Sequence, residues 1–257
     1  MQWIRFKSNT EEVCHGLLEG ETIREVAPLQ GDWDLASIRE TGRTFELAAV
    51  KLLAPCQPSK VVCIGLNYRS HAEEVGQEIP KIPIIFMKPS TAVIGPQKEI
   101  IYPPQSRRVD YEAELAVVIG RKAHRVKSTQ ALNYVFGYTC GNDVTARDKQ
   151  PARGQWTYAK GFDTFCPLGP VINTAIRDPE KLSIKGVLNG KTVQSGNTAD
   201  HIFSVAELIE FISGCMTLLP GDVILTGTPA GIGPMQPGDT FSVIIEGIGT
   251  LTNTLTG

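Results

Sequence analysis

The 257-residue sequence predicts an α+β fold that is mainly β. Short apolar segments of strand length recur along the chain, while helical periodicity is confined to two short stretches. Strands also fail to alternate regularly with helices, which disfavours a doubly wound sheet. The 25 glycines and 17 prolines are spread through the strand-rich regions without a period, so they mark turns and not low complexity.

Residues 1–50 read as short strands and turns, with strands at 3–6 and 13–18 and a helix expected over 34–41. Pro55 and Pro58 then interrupt the chain, because fixed φ and a missing N–H disfavour both helix and central strand. The boundary falls there, giving a small N-terminal domain over 1–52 and a larger domain over 53–257. In the larger domain, residues 60–65, 84–87, 99–102, 110–119 and 240–245 read as strands, and 221–225 as a strand running into a glycine-rich turn. One helix is expected to begin near Ser70, with Ser70 and Glu73 as its capping box. A second is expected over 204–214, where Ser204 and Glu207 form the box and Ile202, Val205, Leu208, Ile209 and Ile212 share one face.

Composition excludes several function classes. With 42% hydrophobic residues, 20% charged residues and a net charge of −2, the chain is of ordinary globular type. That charge balance gives no reason to expect a nucleic acid or an anionic membrane as partner. No apolar run approaches the ~18 residues needed to cross a bilayer. The start lacks an apolar signal core and carries Glu11 and Glu12, so a cytoplasmic location is expected. The six cysteines are scattered without a Cys-x-x-Cys pair, which favours reduced, buried thiols over zinc ligation.

Glu112 and Glu114 lie two residues apart in an otherwise apolar strand, so their side chains point the same way. Two buried carboxylates side by side repel and lose hydration, which is tolerable with a cation between them or with one protonated. Asp143, in Gly141-Asn142-Asp143, follows an aromatic and apolar stretch and would supply a third oxygen ligand; capping of the next turn is its alternative role. Oxygen donors without His or Cys select Mg²⁺, Mn²⁺ or Ca²⁺ over zinc.

His71 and Glu74 stand three apart on one helical face, close enough for the carboxylate to hold and polarise the imidazole. Such a dyad is a general base able to deprotonate water; an exposed histidine beside a solvated glutamate is the plainer alternative. Lys88 interrupts an apolar strand and Lys160 sits among aromatic and small residues, so either could balance buried carboxylates or reach to solvent. The glycine-rich turn after Leu225 could cradle a carboxylate with its amides and the Thr228 hydroxyl, or be a tight turn only. It is neither a P-loop nor a dinucleotide fingerprint. His15, His124 and His201 show no partner pattern, and Gly-x-Ser-x-Gly is absent.

These pieces occur together in one order: Gly65-Leu66-Asn67-Tyr68 with His71 and Glu74; Lys88-Pro89-Ser90; Asp110-Tyr111-Glu112-Ala113-Glu114-Leu115; Asn142 to Asp148; Lys160-Gly161-Phe162-Asp163; and Leu225 to Gly231. As a set they closely resemble the fumarylacetoacetate hydrolase superfamily, in its branch of acylpyruvases, fumarylpyruvate hydrolases and 2-hydroxyhepta-2,4-diene-1,7-dioate isomerases. The resemblance runs from about residue 55 to 245. It implies a mixed β-sandwich roll, a homodimer, and Mg²⁺ or Mn²⁺ held by Glu112, Glu114 and Asp143. It also implies a mobile lid helix around His71 and Glu74. Lys160 would lie beside the metal, Arg147 and Gln150 near the substrate, Thr228 at the substrate carboxylate, and Lys88 at a recurrent substrate-side position.

The activity so implied is hydrolysis of the C–C bond of a 2,4-dioxo acid through a pyruvate enolate held at the ion, with His71 and Glu74 activating water and Lys160 balancing the anion. Isomerisation or decarboxylation of a related 2-oxo diacid is the competing chemistry. A non-catalytic, metal-stabilised binding protein is the competing class.

Overall fold

A computed structural model describes residues 1–152 and 154–257. Its main sheet runs, edge to edge, through Glu40–Glu46, Thr22–Val26, Val13–Glu19, Gln2–Lys7, Cys166–Asn173, Val135–Asn142, Ala113–Ile119, Val223–Leu225, Val61–Gly65 and Ile84–Lys88. A five-stranded sheet is ordered Lys191–Asn197, Ser183–Leu188, Thr240–Ile245, Gly249–Thr256, Glu99–Ile101, and a three-stranded sheet is ordered Thr145–Ala146, Val109–Tyr111, Gly233–Met235. The fold is the mixed, strand-dominated body with an N-terminal unit that the sequence predicts. No helix among the described residues is long and apolar enough to cross a membrane.

Period-two alternation along Ala113–Ile119 explains how one strand serves two cores. Leu115, Val117 and Ile119 join the cluster that holds Ile184, Phe241 and Leu251 of the five-stranded sheet. Ala116 and Val118 face the other way, toward Trp3, Val61, Cys63 and Leu168. Glu114 shares this second face, so the strand carries its acids away from the inter-sheet core.

The N-terminal unit is continuous with the main sheet. Gln2 and Trp3 pair with Asn173 and Ile172, and Trp3 packs edge-on to Phe136 at 5.7 Å. Trp3 is 1% exposed, so truncating it to alanine would cost about 3–5 kcal/mol. All six cysteines are free and five are buried.

Three expectations need correction. The helix over 34–41 is absent: Leu35–Ser37 forms a single 3₁₀ turn capped by Asp34, and it buries nothing. Without an apolar face against the core, short helices have little to hold them, and Glu40–Glu46 instead pairs with Thr22–Val26. The strand over 110–119 is split, because Glu112 leaves the ladder between Val109–Tyr111 and Ala113–Ile119. The first helix spans Arg69–Glu74 with Tyr68 as N-cap and no side-chain cap, so Ser70 and Glu73 form no capping box. The second box is present as read, with Ser204 and Glu207 capping Val205–Cys215.

Strand Val135–Asn142 is the apolar stretch expected to end at Asp143, whereas strand Cys166–Asn173 was not foreseen. Their glycines and prolines resemble turn signals, yet a Cβ on Gly137 would stand 2.6 Å from Asn173 O. Here glycine marks close approach of two backbones.

Candidate active site

Strand register assembles the three carboxylates. Ala113 lies opposite Asn142 and Glu114 opposite Gly141. At the end of that ladder the Asp143 N–H donates to Glu112 O at 2.9 Å, and the Glu112 N–H donates to Asn142 Oδ1 at 3.0 Å. One oxygen from each of Glu112, Glu114 and Asp143 then lies within 4.8 Å of the others, and all three residues are buried.

Three cations, Lys160, Arg147 and Lys88, lie against these carboxylates. Lys160, at the end of the Thr157–Lys160 helix, donates to Glu112 Oε2 at 2.9 Å and to Asp143 Oδ2 at 2.7 Å. Arg147 donates from Nε to Asp110 Oδ2 at 2.9 Å and also reaches Glu112 and Gln150. Asp110, fully buried, is held from its other side by Arg108 Nε at 2.8 Å.

Lys88 does not face the cleft, contrary to the substrate-side position expected of it. It is fully buried, and its ammonium donates to the carbonyls of Val144, Lys160 and Phe165 at 2.8, 2.7 and 2.8 Å. With three protons so committed, Lys88 stands 2.7 Å from Asp143 Oδ1 as a neighbouring charge.

The two glutamates are driven in opposite directions. Burial opposes ionisation of Glu112, but Lys160 and Arg147 outweigh it and hold the carboxyl well below the usual range. Burial, followed by repulsion from Asp143 and Glu112, raises Glu114 well above that range, although the Gly227 N–H donates to its Oε2 at 2.8 Å. Gly227 must be glycine here: its φ is +99°, and a Cβ would meet Asn67 Cβ at 2.8 Å.

The residues present fit a hard divalent cation. Asp143 Oδ1 is buried and accepts no hydrogen bond among the described residues; the Lys88 ammonium lies 2.7 Å to one side, which leaves it lone-pair capacity for a metal. Glu114 is the least compensated of the acids, and every candidate ligand atom is oxygen.

The helix Arg69–Glu74 closes one side of a cleft of about 290 Å³. His71, Glu112, Glu114, Arg147, Gln150, Lys160 and Thr228 line it, facing an apolar wall that includes Ile84, Phe86 and Trp156. Glu74 Oε2 lies 3.0 Å from His71 Nδ1. A carboxylate only accepts, so the Nδ1–H points to Glu74, and in the neutral ring Nε2 is then the atom with the lone pair. The other Glu74 oxygen accepts from the Gly231 N–H at 2.8 Å, so one carboxylate both orients the imidazole and ties the helix to the glycine-rich turn.

Thr228 differs in detail from the expected anion cradle. Its hydroxyl donates to Ala113 O at 2.9 Å, leaving no proton for a ligand. Its own N–H has no acceptor among the described residues and is the donor that a carboxylate could take. In the loop 150–155, Arg153 lies outside the described residues.

Sequence reasoning passed over Asn67, which is fully buried. Its amide donates to Phe203 O at 3.0 Å and Thr226 O at 2.8 Å, and its carbonyl accepts from the Phe203 N–H. Asp110 was passed over likewise, as the anchor of Arg147. Both stand inside the motifs read from the sequence, but only their long-range partners disclose what they do. His201, read as partnerless, is buried with Nδ1 3.2 Å from Glu180 and its ring edge-on to Tyr68.

The chain is similar to known proteins over most of its length. Residues 60–256 match the model of the fumarylacetoacetate (FAA) hydrolase C-terminal domain, and residues 1–55 match an Rv2993c-like N-terminal domain. The chain is 46% identical over 216 residues to the human mitochondrial oxaloacetate tautomerase FAHD2A, covering 79% of this chain and 69% of that protein. It superposes on the 2-hydroxyhepta-2,4-diene-1,7-dioate isomerase of Mycobacterium marinum with a TM-score of 0.90 at 46% identity, covering 100% of this chain and 98% of that one. Against the Pseudomonas aeruginosa fumarylpyruvate hydrolase, solved with Mn²⁺ and pyruvate, the TM-score is 0.73 at 33% identity, covering 79% and 91% of the two chains. A family match across most of the sequence, together with relatives this similar over most of their length, establishes that the chain belongs to the fumarylacetoacetate hydrolase family.

Proposed function

We propose that the chain is a divalent-metal-dependent enzyme of short 2-oxo acids, hydrolysing the C–C bond of a 2,4-dioxo acid of acylpyruvate or fumarylpyruvate type. The observation that carries this reading is the His71–Glu74 pair, 3.0 Å apart, with His71 lining the same small cleft as Glu112 and Glu114, whose carboxylates converge with that of Asp143. Glu112, Glu114 and Asp143 would hold Mg²⁺ or Mn²⁺, which when bound supplies a Lewis acid for the substrate's carboxylate and 2-oxo group. The Mn²⁺ and pyruvate in the fumarylpyruvate hydrolase relative support that choice of ligand class.

The remaining work falls to the chain's own groups. The Thr228 N–H receives the substrate carboxylate, and Arg147, fixed by Asp110, adds positive charge beside it. His71 Nε2 takes a proton from water, whose oxygen attacks the distal carbonyl carbon. The C–C bond then breaks, its electron pair passing to the pyruvate side as an enolate that is protonated to pyruvate, while the distal part leaves as a carboxylic acid. Lys160, already bonded to two carboxylates, adds the fixed positive charge that favours the enolate.

A second reading is isomerisation or tautomerisation, favoured by the names of two relatives matched over most of the chain. The same imidazole would then move a proton between oxygen and carbon without water attacking. Assaying acetylpyruvate, fumarylpyruvate, oxaloacetate and 2-hydroxyhepta-2,4-diene-1,7-dioate with added metal distinguishes the two. Pyruvate release from an acylpyruvate supports hydrolysis; change of enol absorbance with no cleavage product refutes it in favour of proton transfer.

A further inference from the structure

We propose that Gln194, in strand Lys191–Asn197 of the five-stranded sheet and outside the cleft lining, is a positioning residue that holds the metal-binding carboxylates and the substrate-carboxylate seat in one rigid frame. Gln194 is 1% exposed. Its Oε1 accepts from the Ala113 N–H at 3.0 Å, and its Nε2 donates to Thr228 Oγ1 and to Pro229 O, both at 2.8 Å. The Thr228 hydroxyl passes its proton on to Ala113 O at 2.9 Å. A closed ring of hydrogen bonds thus runs from Ala113 through Gln194 and Thr228 back to Ala113. Its orientation is unambiguous, because an amide N–H can only donate and the carbonyl of Pro229 can only accept.

The ring grips the two points that matter to the site. Ala113 is the residue between Glu112 and Glu114, so fixing both its N–H and its C=O fixes where those side chains start. Thr228 and Pro229 belong to the turn whose neighbouring amides serve Glu114 and Glu74. The surrounding sequence makes room for this grip. A Cβ on Gly186, paired opposite Gln194, would come within 2.9 Å of Gln194 Oε1. A Cβ on Gly196 would meet Pro229 Cβ at 2.7 Å, and one on Gly231 would meet Val193 O at 2.1 Å. The strand therefore packs on the turn on both sides of Gln194, Val193 against Gly231 and Gly196 against Pro229, and these two contacts are independent of the amide's own bonds.

The inference rests on the proposed metal site, and its test reads binding as well as turnover. In Gln194→Met the side chain keeps its length and loses its three hydrogen bonds, so the Thr228–Ala113 contact between turn and carboxylate strand loses the amide that braces it. Partners that orient ligands from behind typically contribute ~10- to 100-fold to metal affinity or activity. Isothermal titration of Mn²⁺ into folded Gln194→Met should show Kd weakened about 10-fold or more, and KM for a 2,4-dioxo acid should rise alongside. A role confined to stability would lower the melting temperature and leave the Mn²⁺ Kd and KM per folded molecule within about 2-fold of wild type; that result overturns the proposal.

Should Gln194→Met fail to fold, Thr228→Ser and Thr228→Val read the same ring. Serine retains the hydroxyl and should keep wild-type Mn²⁺ affinity, whereas valine should lose it to the extent described. Equal Mn²⁺ affinity in the two variants refutes the ring's role. If wild type binds Mn²⁺ and turns over no 2-oxo acid, the functional reading fails while the Mn²⁺ comparison still decides the part played by Gln194.

Discussion

Replacing Lys88 with methionine separates a structural lysine from a substrate ligand. Methionine keeps most of the stem but removes the ammonium, leaving the carbonyls of Val144, Lys160 and Phe165 without their donor. A buried acceptor left unsatisfied costs ~1–3 kcal/mol, so three cost about 3–9 kcal/mol before relaxation. Asp143 also loses its 2.7 Å neighbouring charge. Water entering the gap recovers part of this, which places the expected loss at about 3–5 kcal/mol, a large fraction of the ~5–15 kcal/mol that holds a typical domain. In a chain of this size each kcal/mol moves the melting temperature by ~2–4 °C, so Lys88→Met should melt about 6–20 °C below wild type, with an earlier urea midpoint. A melting temperature within about 2 °C of wild type, accompanied by a raised KM, would refute this reasoning and return Lys88 to the substrate.

Glu74→Gln should lower kcat by ~10²- to 10⁴-fold at saturating metal, because a glutamine carbonyl serving the Gly231 N–H no longer fixes the Nδ1–H tautomer of His71; Mn²⁺ affinity should be unchanged, and an unaltered kcat would rule out the dyad. Far from the cleft, the Arg43 hydrogen bond, opposed by burial and aided by Thr41, lowers Glu25 from 4.5 to about 2. A depressed carboxyl contributes stability that is present above its unfolded value and lost as pH falls through its folded one. Urea midpoints should therefore fall between roughly pH 5 and pH 2 with a component that Glu25→Gln lacks, and parallel pH profiles for the two proteins would contradict this.

The parts of the site legible in the sequence obey short-range rules. Period two put Glu112 and Glu114 on one face, spacing by three put His71 beside Glu74, and the Ser204–Glu207 box ended where a helix begins. What stayed hidden depends on partners far along the chain. Lys88 in an apolar strand is compatible with solvent, substrate or core, and only the carbonyls of residues 144, 160 and 165 decide among these. Gln194 lies 81 residues from Ala113 and in another sheet, so no local pattern announces it. The 34–41 segment forms no helix because its one turn, Leu35–Ser37, buries nothing against a core. Ser70 was misread as a cap because its hydroxyl instead lies 3.5 Å from the Ala230 N–H across the cleft rim.

The central claim is that Glu112, Glu114 and Asp143 hold a divalent ion on which 2-oxo acid chemistry depends. The most direct test is pyruvate release from acetylpyruvate by EDTA-treated protein, before and after adding Mn²⁺, in wild type and Glu114→Gln. The account predicts no turnover without metal, restoration by about one equivalent of Mn²⁺ in wild type, and little restoration in Glu114→Gln. Full turnover in EDTA, or equal restoration in the two proteins, would contradict it.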